Sequence, residues 1–156
     1  MAIDMVRKHF QKHGRDQDIL EFKVSSATVD LAAQAAGVEG ARIAKTLSFR
    51  HGDSAMLLVT AGDARTDNKK FKLQFGFKAR MLNAEEVEKF TGHAIGGVCP
   101  FGLKQELLVY LDISMKRFET VFPACGSSNS AIELTCEELE IYSGFDQWVD
   151  VCKDWE

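Results

Sequence analysis

The chain has 156 residues, 46% hydrophobic and 27% charged, with a formal net charge of −4. One domain of this length buries about 70% of its unfolded surface, so a single domain over 1–156 is expected. The charge excludes a protein that grips nucleic acid by bulk electrostatics, and the lack of about 18 consecutive apolar residues excludes a transmembrane helix. With no signal-peptide pattern from Met1 to Lys8, the cytoplasm is the expected location and no membrane partner is expected. Cys99, Cys125, Cys136 and Cys152 have neither C-x-x-C nor zinc-finger spacing, so a reduced chain with no metal and no cofactor is expected.

Ile3, Val6 and Phe10 recur at helical spacing and predict an amphipathic helix over 2–13, ended by Gly14. Apolar and charged residues alternate over 19–24, as in a half-buried strand. Thr28 caps an Ala-rich helix over 29–36, which Gly37 closes. Strands over 44–50 and 55–60 flank the hairpin turn His51-Gly52-Asp53-Ser54, and Ala61-Gly62-Asp63 breaks the second strand. A basic helix over 67–75 and a short strand over 77–81 follow. Asn83 and Glu86 make a capping box for a helix that runs to Thr91 and stops at Gly92. Beyond the loop at 96–102, strands over 107–111 and 120–124 are joined by a turn or short helix over 112–118. Gly126-Ser127-Ser128-Asn129 is a polar turn, and 131–134 is the last strand. Thr135 and Glu138 form a second capping box. Trp148, Val151, Cys152 and Trp155 share one face of a predicted C-terminal helix over 145–155. Strands fall in neighbouring pairs, so the class is α+β, or mixed α/β, with a largely antiparallel sheet.

Two features point to chemistry. Gly96-Gly97-Val98-Cys99-Pro100-Phe101-Gly102 places three glycines and one of the chain's two prolines in seven residues. Such a loop is constrained by its glycine and proline geometry. It matches neither a P-loop nor G-x-G-x-x-G, but consecutive N–H groups of Gly96, Gly97 and Val98 can converge on a carbonyl or oxyanion. The second feature is Lys45. Alternation puts it on one strand face with Ile43 and Leu47, where its ammonium either reaches a phosphate or carboxylate in a pocket or snorkels into solvent.

The remaining candidates are weaker. Cys99 lacks a dedicated base in the sequence and reads as a small semi-apolar filler rather than a nucleophile. His9, His13 and His51 read as solvated, and His93 is the histidine nearest the loop. Ser127, Ser128 and Ser130 follow Gly126 without a G-x-S-x-G elbow and read as turn chemistry. Asp63, Arg65 and Asp67 either brace a pocket or form a solvated loop. Lys69, Lys70, Lys72, Lys78 and Arg80 form either a solvated face or an RNA-backbone contact.

Ser26-Ala27-Thr28-Val29, Ile43-Ala44-Lys45-Thr46-Leu47-Ser48-Phe49-Arg50, Ala61-Gly62-Asp63, the 96–102 loop and Arg117-Phe118-Glu119 occur in this order across most of the chain. Together they resemble the YbaK/ProX/EbsC family of aminoacyl-tRNA deacylases, in the freestanding form of the prolyl-tRNA synthetase-associated editing domain. The resemblance implies a mixed, mostly antiparallel barrel-like sheet flanked by helices. It also implies trans-editing, the hydrolysis of the ester of mischarged tRNA such as Cys- or Ala-tRNA(Pro). The partners implied are the aminoacylated tRNA 3′ end and an aminoacyl-tRNA synthetase.

In the resemblance, Lys45 holds the phosphate of the terminal adenosine. The G-x-x-x-P loop falls on Gly96 to Pro100, with Gly96 and Gly97 as backbone donors to the aminoacyl carbonyl. Thr46, Asp63, Val98, Pro100 and Phe101 are expected around the substrate. Several members carry a His in a Gly-Ser-His segment where this chain has Gly126-Ser127-Ser128-Asn129, so Ser128 or Asn129 is expected to supply the polar contact instead. The leading hypothesis is a metal-independent deacylase. A non-catalytic module that binds an aminoacyl, nucleotide or peptide ligand in the same pocket is the alternative, and a Cys99-dependent hydrolase is the third.

Overall fold

The computed structural model describes residues 2–155; Met1 and Glu156, the ends of the expected 1–156 domain, lie outside the described residues. In chain order the elements are α1 (Ala2–Gln11), β1 (Leu20–Glu21), α2 (Val29–Ala36), β2 (Ile43–His51), β3 (Ser54–Ala61), β4 (Arg65–Thr66), α3 (Asn68–Phe75), α4 (Ala84–Thr91), β5 (Leu108–Asp112), β6 (Thr120–Pro123), β7 (Ser130–Ala131), β8 (Leu134–Thr135), α5 (Cys136–Ser143), β9 (Gln147–Val149) and β10 (Cys152–Lys153). A 3-10 helix, Ile113–Arg117, fills the predicted turn between β5 and β6.

A six-stranded sheet runs in the order β8-β6-β2-β3-β5-β9. Pairing is antiparallel at β2–β3 and β6–β8, and parallel at β2–β6, β3–β5 and β5–β9. Two small antiparallel ladders, β1–β7 and β4–β10, flank it. Four of the seven ladders among the described residues are therefore antiparallel, in keeping with a mixed, mostly antiparallel fold. The end strands β8 and β9 do not pair with each other, so the sheet curls into an open half-barrel.

The β2–β3 hairpin is the centre of the molecule. Every β3 residue from Ala55 to Ala61 is buried, as expected of a strand covered on both faces. Gly52, at φ 60°, takes the first central position of the two-residue turn, where a side chain would be strained. The predicted caps set the helices: Thr28 accepts from the Leu31 amide, and Asn83–Glu86 and Thr135–Glu138 form complete capping boxes. Each such cap contributes about 1 kcal/mol. α2 lays Ala32 and Ala33 on Ile43 of β2 and Phe122 of β6, which brings the first turn of α2 over the start of β2. On the far side, Val6 and Phe10 of α1 are fully buried, with the Phe10 ring 4.8 Å from that of Phe101.

Three expectations are corrected. Residues 145–155 are not helical; they supply β9, parallel to β5, and β10, antiparallel to β4. Val149 and Val151 are buried while Asp150 is exposed, a period of two that the helical spacing of the tryptophans masked. The free edge of β5 captures the segment, and the buried Asp112 carboxylate accepts the Val151 amide at 2.9 Å. The predicted strand at 77–81 reduces to a single bridge, Phe49↔Met81, because the cap of α4 begins two residues later. The strand at 19–24 is only Leu20–Glu21 and exposed, since it pairs as an edge with β7.

Candidate functional site

The site starts from β2. Ile43, Lys45 and Leu47 line a cleft of about 230 Å³, with Ala44 and Thr46 contributing from the same strand. Lys45 is half-buried, and its Nζ lies 3.5 Å from the Gly62 carbonyl oxygen, within reach of a weak hydrogen bond. Burial pushes its pKa below the ordinary 10.5, against an opposing attraction from Cys152 and Asp63. A desolvated cation of this kind favours an anionic ligand.

Gly62 is fixed by lack of space. A Cβ there would stand 2.0 Å from the Gly40 carbonyl oxygen and 2.8 Å from Val29 Cγ1. The turn after β3 thus packs backbone-on-backbone against the entry to β2. Arg117 clamps the next residue: its guanidinium meets Asp63 at 2.6 and 3.0 Å and donates to the Ser114 carbonyl at 2.8 Å.

The opposite lip is the glycine loop. Gly96, at φ 95°, sits against Ala27, where a Cβ would come within 3.2 Å of the alanine methyl. Gly97 packs on the 126–127 backbone, its carbonyl accepting the Gly126 amide at 3.0 Å while its own amide donates to the Ala94 carbonyl at 3.0 Å. Among the described residues, neither the Gly96 nor the Val98 amide has an intramolecular acceptor. The loop is buttressed from within by His93. This residue is 1% exposed, and its Nε2 lies 2.8 Å from the Phe101 carbonyl oxygen.

The floor is apolar, formed by Val29 and Ala32 of α2 and Phe122 of β6, with Met81 and Ile95 at the rim. Two hydroxyls interrupt it. Ser26 and Thr46 line the cleft and are 7% and 8% exposed, and their hydroxyls have no hydrogen-bond partner among the described residues. Buried unpaired hydroxyls are costly, and here they mark where a ligand's polar atoms would be accepted.

Of the sequence-predicted residues, Lys45, Thr46, Gly96 and Val98 line the cleft. Gly97, expected with Gly96 as a backbone donor, does not line it, and its amide is engaged by the Ala94 carbonyl; Asp63 lies one residue from the Lys45 contact. The others lie elsewhere. Phe101 is fully buried against Phe10, and Pro100 lines a separate cavity with His9 and His13. Both Asn129 side-chain ends are engaged, accepting from Ser127 Oγ at 2.9 Å and donating to the Phe22 carbonyl at 3.0 Å. The Ser128 carbonyl accepts the Ser26 amide at 2.6 Å, which holds Ser26 at the cleft.

Cys99 does have the partner that the sequence did not reveal, His93 Nε2 at 3.6 Å. It is fully buried, however, and desolvation pushes its thiol up to about 12, so it fills space. Ser26 was missed as a site residue. Its signal was its place two residues before the Thr28 cap. Among the described residues no group of three His, Cys, Asp or Glu side chains is placed to hold a metal.

A half-buried cation, the glycine-loop residues Gly96 and Val98 and an apolar floor line one cleft, an arrangement that suits a ligand with an anion beside an apolar group. The sequence pattern of the aminoacyl-tRNA editing domain matches residues 24–141, and the chain belongs to that family. It is 60% identical to "Uncharacterized protein YwhH" of Bacillus subtilis over the full length of both chains. It is 28% identical to the "Putative Cys-tRNA(Pro)/Cys-tRNA(Cys) deacylase EbsC" of Enterococcus faecalis, over 72% of this chain and 70% of that one. Among solved structures, that of a "putative trans-editing enzyme for prolyl tRNA synthetase" superposes with a TM-score of 0.87 at 31% identity, over 97% of each chain. A proline–tRNA ligase of Caldicellulosiruptor saccharolyticus shares 29% identity over 57% of this chain, a stretch that makes up 15% of the ligase. No described helix is long and apolar enough to cross a membrane.

Proposed function

We propose that this protein is a trans-acting deacylase that hydrolyses the ester of a mischarged tRNA of the Cys- or Ala-tRNA(Pro) kind. The observation that carries the reading is that Lys45, Gly96 and Val98 line one apolar cleft, with the Gly96 and Val98 amides unpaired among the described residues. Lys45 anchors the phosphate of the 3′-terminal adenosine. The two amides receive the aminoacyl carbonyl and the negative charge that develops on it. Water adds to the carbonyl carbon, the ester C–O bond breaks, and the proton ends on the ribose oxygen, releasing the amino acid and the tRNA. An aminoacyl ester is already activated, so positioning and oxyanion stabilisation suffice without a metal or an enzyme nucleophile. The floor of Val29, Ala32 and Phe122 selects the amino acid by size, each methylene being worth about 1–3 kcal/mol.

The test is a panel of aminoacyl-tRNAs offered to the protein and to its Lys45→Ala variant. Hydrolysis of a small-side-chain ester by the wild type, lost in the variant, supports the reading. No hydrolysis of any member, or equal rates for both proteins, overturns it. Saturable binding of a non-hydrolysable aminoacyl-adenosine without turnover of any ester would assign the cleft to a binding module instead.

A further inference from the structure

Charge is divided unevenly along this chain. Residues 65–80 hold six basic side chains and one acidic one, a local balance of +5 in a chain of −4, so the remainder stands at −9. Among the described residues Arg7, Arg15, Arg42, Arg50 and Arg117 are ion-paired to carboxylates. The two arginines that are not, Arg65 and Arg80, both lie in this segment and are exposed. Lys70 pairs with Asp150, while Lys69, Lys72 and Lys78 are exposed with no ion pair among the described residues.

These cations are ordered in space. Lys69 and Lys72, one turn apart on α3, line a shallow cleft of about 370 Å³ with Lys78. From there the chain runs through Arg80 to Met81 on the rim of the Lys45 cleft. That run is fixed to β2, the Arg50 amide donating to the Arg80 carbonyl at 2.8 Å. Four extended residues cover about 13 Å, and a stacked nucleic-acid strand carries a charge roughly every 3.4 Å. The track therefore spans about three to four phosphates. Unpaired like charges this close repel one another unless an anion neutralises them.

We infer that α3 and residues 78–80 form the docking surface for RNA backbone phosphates, those of the strand that leads into the cleft. This rests on the proposed deacylase reading, and it gives an acidic protein a local means of holding the acceptor arm of tRNA. The contact is electrostatic and indifferent to sequence.

The experiment compares the wild type with Lys69→Glu/Lys72→Glu and with Lys8→Glu/Lys12→Glu, which changes net charge equally at exposed positions on α1 and in the turn that follows it. Lys69 and Lys72 are both exposed; Glu at position 69 suits the N-terminal end of the α3 dipole, whereas position 72 lies in the last turn, so a melting curve accompanies each variant and only variants with a cooperative transition are compared. Binding of uncharged tRNA is measured across a salt series, and hydrolysis is measured on full-length aminoacyl-tRNA and on an aminoacylated trinucleotide. The α3 variant is expected to raise Kd about tenfold and to lower the salt slope by about two, leaving the trinucleotide rate unchanged, while the α1 variant stays near wild type. Equal losses in both variants, no loss in the α3 variant, or loss of binding to an acidic polypeptide with tRNA binding intact overturns the inference. If tRNA binding depends on Lys69 and Lys72 while no ester is hydrolysed, the docking surface stands and the deacylase reading falls.

Discussion

Gly97 and Ser127 are in backbone contact: a Cβ on Gly97 would lie 2.7 Å from the Ser127 nitrogen and 2.8 Å from its carbonyl carbon. Both neighbours are main chain and cannot rotate aside. Gly97→Ala is therefore expected to cost about 1–3 kcal/mol, or roughly 2–4 °C of Tm per kcal/mol at this chain length. It should also abolish deacylation by displacing the Gly96 and Val98 amides. Gly144→Ala is the control, since it meets nothing within 4 Å but carries a φ of 60°; it should lose Tm and keep activity. Thermal melts and ester hydrolysis on the two variants separate the effects, and full activity in Gly97→Ala would contradict the assignment of the loop.

Lys45 should behave as a residue kept for function at a cost to stability. Its pKa lies below 10.5 because burial disfavours the cation. As pH rises toward 10.5 the native state releases this proton before the unfolded state does, so its contribution to stability rises with pH over that window. Anchoring runs the other way, because the cation is lost. Lys45→Met should match or exceed the wild-type Tm at pH 7 and bind a non-hydrolysable aminoacyl-adenosine phosphate at least tenfold more weakly. As pH rises, wild-type binding should begin to fade before pH 10.5 is reached, and that of the variant should stay flat. Calorimetric titration across pH checks both.

How far the sequence carried can be judged at Lys45, Phe101 and Trp148. Alternation along 43–47 was enough to place Lys45 with Ile43 and Leu47, because a strand's side chains leave it little choice of face. The helix caps were legible for a similar reason, being written in residues three apart. Phe101 was not legible. A loop side chain turns inward or outward according to what packs beneath it, here Phe10 of α1, ninety-one positions away. Trp148 misled because Trp148, Val151, Cys152 and Trp155 also fit a helix, and only the open edge of β5 decides for a strand. The unpaired hydroxyl of Ser26 is likewise a product of long-range approach, since the Ser128 carbonyl holds the Ser26 amide.

Arg117 acts at a distance of one residue from the Lys45 contact. Its fork holds both Asp63 oxygens, with side chains 28% and 37% exposed, and such a pair contributes about 1 kcal/mol or less. Arg117→Ala should therefore lower Tm by only a few degrees. The larger effect is expected on KM for aminoacyl-tRNA, raised several-fold as the Gly62–Asp63 turn loosens and Lys45 loses its orientation. Arg117→Lys should not restore KM, because a lysine ammonium cannot span two carboxylate oxygens. Steady-state kinetics on the two variants check this, and an unchanged KM would restrict Arg117 to packing.

His93 supplies the pH sensitivity of the loop from beneath. Its Nε2 lies beside the Phe101 carbonyl oxygen, so the ring donates there, and its Nδ1 is buried without a partner among the described residues. Burial lowers its pKa from 6.5, outweighing the carbonyl contact, so the native ring is neutral. Below pH 6.5 the unfolded chain takes up a proton that the native state refuses. Stability is then full above pH 6.5 and falls as pH drops toward the native pKa. His9 is shifted in the same direction, chiefly by burial. The Tm is expected to decline from pH 7 to pH 5, and the decline should shrink in His93→Gln, whose amide can donate to the same carbonyl. Deacylation by Cys99→Ala should survive over this range, because a thiol held near 12 by burial takes no part as a nucleophile. Loss of activity in Cys99→Ala with an intact melting curve would return the chemistry to the thiol, whereas retention leaves it with the backbone amides of the loop that His93 supports.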